Sequence, residues 1–167
     1  MYERFFPSFF FDRVADIPKG FFYKNKIKFA VLDIDNTLVP YTEAEPSDSA
    51  KAFLTRLEEE GIKYCFLSNN SKKRVDIFNK NINAPYVSNG KKPLAFGIKK
   101  AMTILGAKPV ETILIGDQIF TDVWCANRVG ARSVLVLPIE DKETAFFKIK
   151  RAFERVVLKK YKMDKLP

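Results

Sequence analysis

The chain contains no histidine among its 167 residues. This absence excludes a histidine general base, a histidine metal ligand and a Ser-His-Asp triad, so acid–base chemistry falls to carboxylates and lysines. Cysteine is scarce too, because only Cys65 and Cys125 are present and they form no CxxC pair. Their apolar neighbours predict two reduced, buried thiols rather than a disulfide, and the absence of a CxxC pair leaves a zinc site unsupported.

The sequence also lacks any apolar run near the roughly 20 residues that a membrane-spanning helix needs. Its first residues are rich in phenylalanine, but Pro7, Asp12 and Arg13 interrupt them. The basic head and the small-residue cleavage site of a signal peptide are missing. We therefore expect a cytoplasmic protein, with peripheral contact to the inner face of an anionic membrane as an open alternative.

Charge of one sign dominates, with 29 Lys and Arg against 20 Asp and Glu and a net charge of +9. This balance favours an anionic partner such as nucleic acid, an anionic membrane or a phosphorylated substrate, and a solvated lysine-rich surface explains it equally well. The length fits one domain over residues 1–167. We expect a core over about 27–138, an aromatic N-terminal segment 1–26 and a basic amphipathic C-terminal helix over about 143–161.

Short apolar runs alternate with amphipathic segments along the chain. The runs predict strands at about 28–32, 63–67, 86–87, 112–115 and 133–137. The amphipathic segments predict helices at about 49–59, 72–79, 94–105 and 121–130. Strands that alternate with helices of about ten residues predict an α/β fold, in which helices cover both faces of a parallel sheet.

The first predicted strand ends in two acids, in the segment Leu32-Asp33-Ile34-Asp35-Asn36-Thr37. Alternation along an extended chain puts Asp33 and Asp35 on the same side. Two carboxylates at the mouth of a strand repel each other and lose solvation, which is costly unless a cation or a reaction uses them. The segment therefore predicts a functional site.

Three further polar features follow predicted strands: Ser68-Asn69-Asn70, Lys92-Pro93, and the segment from Gly116-Asp117 to Asp122. The carboxyl ends of parallel strands meet at one edge of a sheet, so these side chains are expected to lie close together. Phosphoryl transfer needs an oxygen nucleophile, a proton donor and positive charge around phosphorus, and this set supplies them. Turn formation by Ser68-Asn69-Asn70 and helix capping by Asp122 are alternative explanations.

The four motifs, in this order, resemble those of the haloacid dehalogenase (HAD) superfamily of phosphatases. The segments LDIDNTLVPY, LSNNSKKRV, KKP and IGDQIFTDVWCANRVGARSVLVLP look like its YqeG-type branch, subfamily IIIA, over about 29–138. The resemblance implies a Rossmannoid three-layer α/β/α sandwich with a parallel sheet of five strands in the order 3-2-1-4-5. The spacers after the first and third motifs have room for one helix each, so we expect no cap domain and an open site.

The resemblance also implies roles for the motif residues. Asp33 would be the nucleophile and Asp35 the acid and base. Ser68 and Lys92 would bind the phosphoryl group, and Lys92 is preferred to Lys91 because the family pattern is a lysine directly before proline. Asn69 is grouped with these substrate-binding residues, although a bond to local backbone would explain it as well.

The implied cofactor is Mg²⁺, and its implied ligands are the side chain of Asp33, the backbone carbonyl of Asp35, the side chain of Asp117, and Asp122 directly or through water. Relatives of the YqeG-type branch include the mitochondrial phosphatidylglycerophosphate phosphatase. We therefore predict a phosphomonoester hydrolase that forms an aspartyl-phosphate and acts on phosphatidylglycerophosphate in phospholipid synthesis, with no nucleic acid as a partner.

Other functions remain open at this point. A HAD phosphatase can act on a small soluble phosphomonoester or on a phosphoprotein instead of a membrane phospholipid. A phospho-accepting receiver domain shares the fold class and an acidic pocket, but it lacks the paired acids of Asp33 and Asp35. A non-catalytic module that binds RNA or ribosomes would use the positive charge, but it would have no need of the four motifs.

Overall fold

The computed structural model describes residues 3–140 and the single residue Lys159. The predicted C-terminal helix over about 143–161 lies outside the described residues, apart from Lys159. Within the described range the chain forms six strands and five α-helices. The strands are β1 (Phe9–Phe11), β2 (Phe29–Leu32), β3 (Lys63–Leu67), β4 (Tyr86–Val87), β5 (Thr112–Gly116) and β6 (Arg132–Val136). The helices are α1 (Phe21–Lys24), α2 (Asp48–Glu59), α3 (Lys72–Asn79), α4 (Ala95–Leu105) and α5 (Trp124–Val129).

All six strands pair in parallel, in the order β1-β6-β5-β2-β3-β4. The five strands predicted from the sequence are β2 to β6, and they occur in the predicted order. The α/β fold class and the three-layer arrangement are confirmed. Because β2 lies in the middle of the sheet, with β5 on one side and β3 on the other, the residues that follow it emerge at the centre of the carboxyl edge.

The predicted number of strands was wrong, because the aromatic N-terminal segment adds β1 to the edge of the sheet beside β6. Phe9 and Phe11 pack edge-on against Phe21 on one face, at ring distances of 4.8 and 5.5 Å. Phe10 points to the other face, beside Leu135. A run of three aromatics between Pro7 and Asp12 carries no alternation, so its pairing is decided by the distant strand β6 rather than by local sequence.

Helix boundaries follow capping chemistry. The Ser47 hydroxyl accepts from the Ala50 N–H at 3.2 Å and so begins α2, and the Ser71 hydroxyl does the same for Arg74 at the start of α3. Gly106 and Gly130 end α4 and α5 with φ of 66° and 74°. A left-handed φ of this kind suits glycine, which has no Cβ to clash.

Each face of the sheet carries its own core. The larger core packs α1, α2 and α3 on one face around side chains such as Leu32, Phe66 and Ile115. The smaller core packs α4 and α5 on the other face around Val31 and Leu114. Alternation along β2 explains why Val31 and Leu32 join different cores.

The two cysteines, Cys65 and Cys125, are buried in the smaller core as free thiols, as predicted. Burial raises the pKa of both thiols to about 12, so both remain protonated and unreactive near neutral pH.

The connections around the carboxyl edge are short. Within residues 3–140, the chain between β2 and β3 contains one loop and α2, and the chain between β4 and β5 contains α4 and one turn of 3-10 helix. Neither connection adds a cap over the edge, as the spacing predicted. Among the described residues, no helix combines the length and the apolar character needed to cross a bilayer.

Candidate active site

The loop after β2 places Asp33 and Asp35 at the carboxyl edge of the sheet. The Asp33 N–H continues the sheet by donating to the Ile115 carbonyl at 2.9 Å. Asn36 then turns the chain with a φ of 66°, which this residue type tolerates better than most. Its side chain exchanges two hydrogen bonds with the backbone of Glu140, at 2.7 and 2.8 Å. Both aspartates are buried, so this local geometry holds two carboxylates out of water.

Lys92 links the first and fourth motifs. Its Nζ lies 2.6 Å from Asp33 Oδ1 and 2.6 Å from Asp122 Oδ1. Burial alone would lower the pKa of Lys92, but the carboxylates of Asp122 and Asp33 outweigh it and raise the pKa above its usual range. The neighbouring Lys91 is exposed, so the geometry assigns the site lysine to the residue directly before Pro93.

The Asn69 side chain fixes the backbone that carries Lys92. Its Oδ1 accepts from the Lys92 N–H at 2.7 Å, and its Nδ2 donates to the Lys92 carbonyl at 3.0 Å. These two bonds join the end of β3 to the third motif. Of the two interpretations left open by the sequence, the bond to backbone is the one observed, and Asn69 also lines the cavity beside it.

Gly116 makes room for the acid at position 122. A Cβ on Gly116 would lie 2.3 to 2.6 Å from the Cβ and carboxyl atoms of Asp122, which is closer than real Cβ contacts. The Asp122 Oδ2 accepts from the Gln118 N–H at 3.1 Å and from the Thr121 hydroxyl at 3.3 Å. Asp122 lies within a π-type turn over Ile119–Val123 and does not cap α5. The capping explanation of this residue is therefore wrong, because its carboxylate accepts hydrogen bonds from the loop that precedes it.

A cation fits among Asp33, Asp117 and Asp122. Each offers one carboxylate oxygen, and the three oxygens lie within 4.8 Å of one another. Asp117 Oδ1 is buried and accepts no hydrogen bond from the described residues. A buried oxygen without a partner is costly, and hard divalent cations prefer such oxygen ligands. This donor set therefore suits Mg²⁺ or a similar ion.

The electrostatics point the same way. Burial raises the pKa of Asp33 to about 7, with Lys92 opposing it and Asp122 adding to it. Burial, Asp33 and Asp122 together raise the pKa of Asp117 well above its usual range. Four buried carboxylates face two cations in this site, Lys92 and an arginine described next. A divalent cation would balance the remaining charge and lower both pKa values.

Arg74 pairs with the second acid of the first motif. Its Nη2 lies 2.8 Å from Asp35 Oδ1, while Asn70 Nδ2 donates to Asp35 Oδ2 at 2.9 Å. Both oxygens of Asp35 are thus held by neutral or positive donors. In the sequence, Arg74 is one of three consecutive basic residues with Lys72 and Lys73, and the run itself does not indicate a role for it. The only local signal was its place one turn after the Ser71 cap.

A cavity of about 230 Å³ opens beside these groups. The Ser68 hydroxyl lines it and also accepts from the Asn70 N–H at 3.0 Å, so Ser68 serves the turn and faces the site. Tyr41, which the sequence did not single out, forms part of the wall. Burial and the charge of Asp117 raise the pKa of the Tyr41 hydroxyl. The nine lining residues are Asp33, Asp35, Tyr41, Ser68, Asn69, Asn70, Lys92, Gln118 and Thr121.

Comparison with known proteins finds similarity to HAD-type hydrolases. The Hydrolase_like family model, described as HAD-hydrolase-like, matches residues 90–153. The probable phosphatase YqeG of Bacillus subtilis is 28% identical over 159 residues, which cover 95% of this chain and 92% of that relative. The chain is thus similar to HAD-type hydrolases along most of its length. The predicted resemblance to HAD-type phosphatases of the YqeG branch is confirmed.

Further relatives agree with this assignment. A glyceraldehyde 3-phosphate phosphatase of Pyrococcus furiosus is 26% identical over 113 residues, covering 62% of this chain and 46% of that relative. A HAD-superfamily hydrolase from Ehrlichia chaffeensis superposes with a TM-score of 0.56 at 16% identity, covering 78% of this chain and 98% of that one.

The cobalt-bound deoxy-D-mannose-octulosonate 8-phosphate phosphatase of Haemophilus influenzae gives a TM-score of 0.50 at 15% identity, with coverages of 81% and 89%. The structures from Ehrlichia chaffeensis and Haemophilus influenzae establish the HAD fold, which is the fold that the resemblance of the four sequence motifs implied.

Proposed function

We propose that this chain is a magnesium-dependent phosphomonoester hydrolase that works through an aspartyl-phosphate on Asp33. The observation that carries the proposal is the arrangement around Asp33. One of its carboxylate oxygens meets the Lys92 ammonium at 2.6 Å, and two further buried aspartates converge within 4.8 Å. The cavity opens directly onto this carboxylate. Such a site has a nucleophile, positive charge and cation ligands at one point, as phosphoryl transfer requires.

The side chains of Asp33 and Asp117 and the backbone carbonyl of Asp35 would hold Mg²⁺, with Asp122 acting directly or through water. When bound, the ion neutralises negative charge on the phosphoryl oxygens and on the buried carboxylates. The orphaned Oδ1 of Asp117 is the ligand atom that most needs such a partner, since it has none among the described residues.

The residues of the chain divide the reaction between them. A carboxylate oxygen of Asp33 attacks phosphorus while the bond to the leaving oxygen breaks, and Asp35 gives its proton to that oxygen. Water then attacks the aspartyl-phosphate as Asp35 takes a proton from it, which releases phosphate and restores Asp33. Ser68 and Lys92 hold the phosphoryl oxygens throughout, because hydroxyl and ammonium donors fixed in advance stabilise the developing charge.

Metal dependence tests this proposal in two ways. Turnover of p-nitrophenyl phosphate should vanish in EDTA and return with Mg²⁺. Without substrate, Mg²⁺ should raise the thermal unfolding midpoint of the wild-type chain, since an ion that binds the folded state stabilises it. Asp117→Asn should weaken that rise, and Asp76→Asn, which changes an acid on the exposed side of α3, should leave it intact. Undiminished turnover in EDTA would contradict the site.

For the substrate, we propose a phosphate on an anionic membrane lipid, phosphatidylglycerophosphate in particular. Within residues 3–140 no cap closes the mouth. Leu94 and Phe96 follow the third motif directly and are 51% and 65% exposed. Exposed apolar side chains next to exposed lysines, here Lys99 and Lys100, suit the surface of an anionic bilayer.

The segment that follows the weak strand β4 is basic. Lys91, Lys99 and Lys100 are exposed there, and no acidic residue occurs between Asp76 and Glu111. Peripheral contact of this edge with a membrane would bring the headgroup to the cavity without removing the lipid from the bilayer. This contact is compatible with a location on the inner face of the membrane.

A small soluble phosphomonoester is the second candidate, favoured by the relative from Pyrococcus furiosus, whose name gives glyceraldehyde 3-phosphate as its substrate. A screen of the purified protein should compare phosphatidylglycerophosphate in anionic vesicles with soluble esters. Phe96→Ser should reduce turnover in vesicles and spare the soluble esters. Val110→Ser is the matched control, because Val110 is 70% exposed at the opposite edge of the sheet. Equal effects of both variants would favour the soluble substrate.

A further inference from the structure

Arg74 contacts two separate parts of the chain at once. Its Nε and Nη2 lie 3.1 and 2.8 Å from Asp35 Oδ1. Its Nη1 donates to the Ala44 carbonyl at 2.7 Å, and its Nη2 also donates to the Glu43 carbonyl at 2.7 Å. The side chain is 17% exposed. Each guanidinium nitrogen therefore has an acceptor within the protein, which is typical of an arginine that holds structure in place.

The backbone that Arg74 holds belongs to a strap, defined here as residues 41–44, beside the mouth of the cavity. Tyr41 at its start lines the cavity, and Thr42 donates to a Glu140 carboxylate oxygen at 2.9 Å. The strap is thus anchored on one side by the chain after β6 and on the other by Arg74 from α3. One side chain links the position of this strap to the position of Asp35.

We propose that Arg74 is a positioning residue that holds Asp35 and the strap in the relative position that protonation of the leaving group requires. The inference rests on the proposed phosphatase function. In the step concerned, the electron pair of the breaking P–O bond moves to the leaving oxygen, and the proton of the Asp35 carboxyl group moves to the same oxygen. Such a transfer needs donor and acceptor within hydrogen-bond reach, so a shift of about 1 Å is costly.

Two aryl phosphates of similar size distinguish this role from a merely structural one. Phenolate is a stronger base than 4-nitrophenolate, so phenyl phosphate depends on the proton from Asp35 far more than p-nitrophenyl phosphate does. Arg74→Met should lower kcat/KM for phenyl phosphate by at least about ten-fold more than for p-nitrophenyl phosphate. An equal loss on both esters would overturn the proposal.

Matched variants sharpen this comparison. Arg56 on α2 also ties a helix to backbone carbonyls, those of Ile17 at 2.9 Å and Val14 at 3.4 Å, away from the cavity. Arg56→Met should lower stability and leave the ratio of the kcat/KM values for the two esters unchanged. Arg74→Lys keeps the positive charge but loses the planar guanidinium with its several donors, so it should give an intermediate ratio of kcat/KM values. Arg74→Met should change the ratio of kcat/KM values little in an Asp35→Asn background, because both changes impair the same proton transfer from Asp35.

Hydrogen exchange gives a readout that does not need turnover. Backbone amides of the strap should exchange faster in Arg74→Met than in the wild-type chain, and Arg56→Met should leave them unchanged. Unaltered exchange in Arg74→Met would overturn the link between Arg74 and the strap. A wild-type chain that hydrolyses neither ester with Mg²⁺ would contradict the phosphatase function instead, and the exchange comparison would still decide whether Arg74 holds the strap.

Discussion

Two lysine–carboxylate pairs with the same 2.6 Å separation lie at opposite edges of the sheet. At the amino edge, Lys28 and Glu111 join the starts of β2 and β5 with side chains that are 66% and 28% exposed. At the carboxyl edge, Lys92 and Asp33 are 3% and 7% exposed. Water screens the first pair, and many such surface pairs contribute little to stability.

The difference between the two edges lies in what surrounds each pair. Asp33 has two further buried carboxylates within 4.8 Å, and burial raises its pKa to about 7. Removing charges from water costs more than their attraction returns unless something else compensates them. A protein that only needed to connect two strands would use the amino-edge arrangement. The carboxyl edge instead keeps a costly cluster that suits a cation and a phosphoryl group.

The most direct test of the difference between the two edges is Asp33→Asn, which removes the proposed nucleophile and changes few other atoms. We expect turnover of p-nitrophenyl phosphate to fall by roughly four orders of magnitude or more, as when other nucleophiles are removed. Circular dichroism should show that the fold survives. Glu111→Gln is the control at the amino edge and should keep full activity. Near-normal turnover in Asp33→Asn would remove this residue from the nucleophile role.

Lys92→Met and Lys28→Met compare the two pairs directly. Without Lys92, the carboxylates of Asp33 and Asp122 stay buried without their cation, so we expect the free energy of unfolding in EDTA to fall by roughly 3–5 kcal/mol. Activity should fall by about 10²–10³-fold, as for loss of one donor to a developing charge. Lys28→Met should change neither quantity measurably. Urea unfolding and initial rates check both, and equal effects of the two variants would contradict the contrast.

The smallest effect concerns Gly116, the last residue of β5, which lies against the Asp122 carboxyl group. Gly116→Ala would press a methyl group onto the Asp122 carboxyl, at a cost of about 1–3 kcal/mol, and should abolish the rise of the unfolding midpoint with Mg²⁺. Gly106→Ala strains a left-handed residue in open space by about 1 kcal/mol and should keep that rise. A normal Mg²⁺ response in Gly116→Ala would show that Asp122 can move without harm to the site.

Prediction from sequence worked best where a local pattern and the tertiary fold agree. The strands β2, β3 and β5 are short apolar runs buried on both faces, so their existence and order followed from the alternation of runs and helices. The motif acids lie at the ends of those same runs, and a parallel sheet brings such ends together. Asp33, Asp35, Ser68, Lys92 and Asp122 accordingly surround or adjoin one cavity.

The features that sequence reasoning missed depend on partners far along the chain. Strand β1 pairs with β6, more than 120 residues later, and has no alternation of its own. Arg74 reaches Asp35 and the strap only because α3 and the loop after β2 lie on the same side of the sheet. Tyr41 in that loop lines the cavity. A basic run does not reveal which of its members turns inward, and an aromatic residue in a loop carries no signal of the cavity that it lines.

The sequence by itself determined the alternating fold, the four strand-end motifs and the acidic chemistry of a chain without histidine, because these depend on residue type and spacing along the backbone. The tertiary structure decided which lysine enters the site, what Asn69 binds, how Asp122 is braced and which arginine meets Asp35. Those choices depend on burial and on distances between segments remote in sequence, and such distances exist only once the sheet has brought its carboxyl ends together.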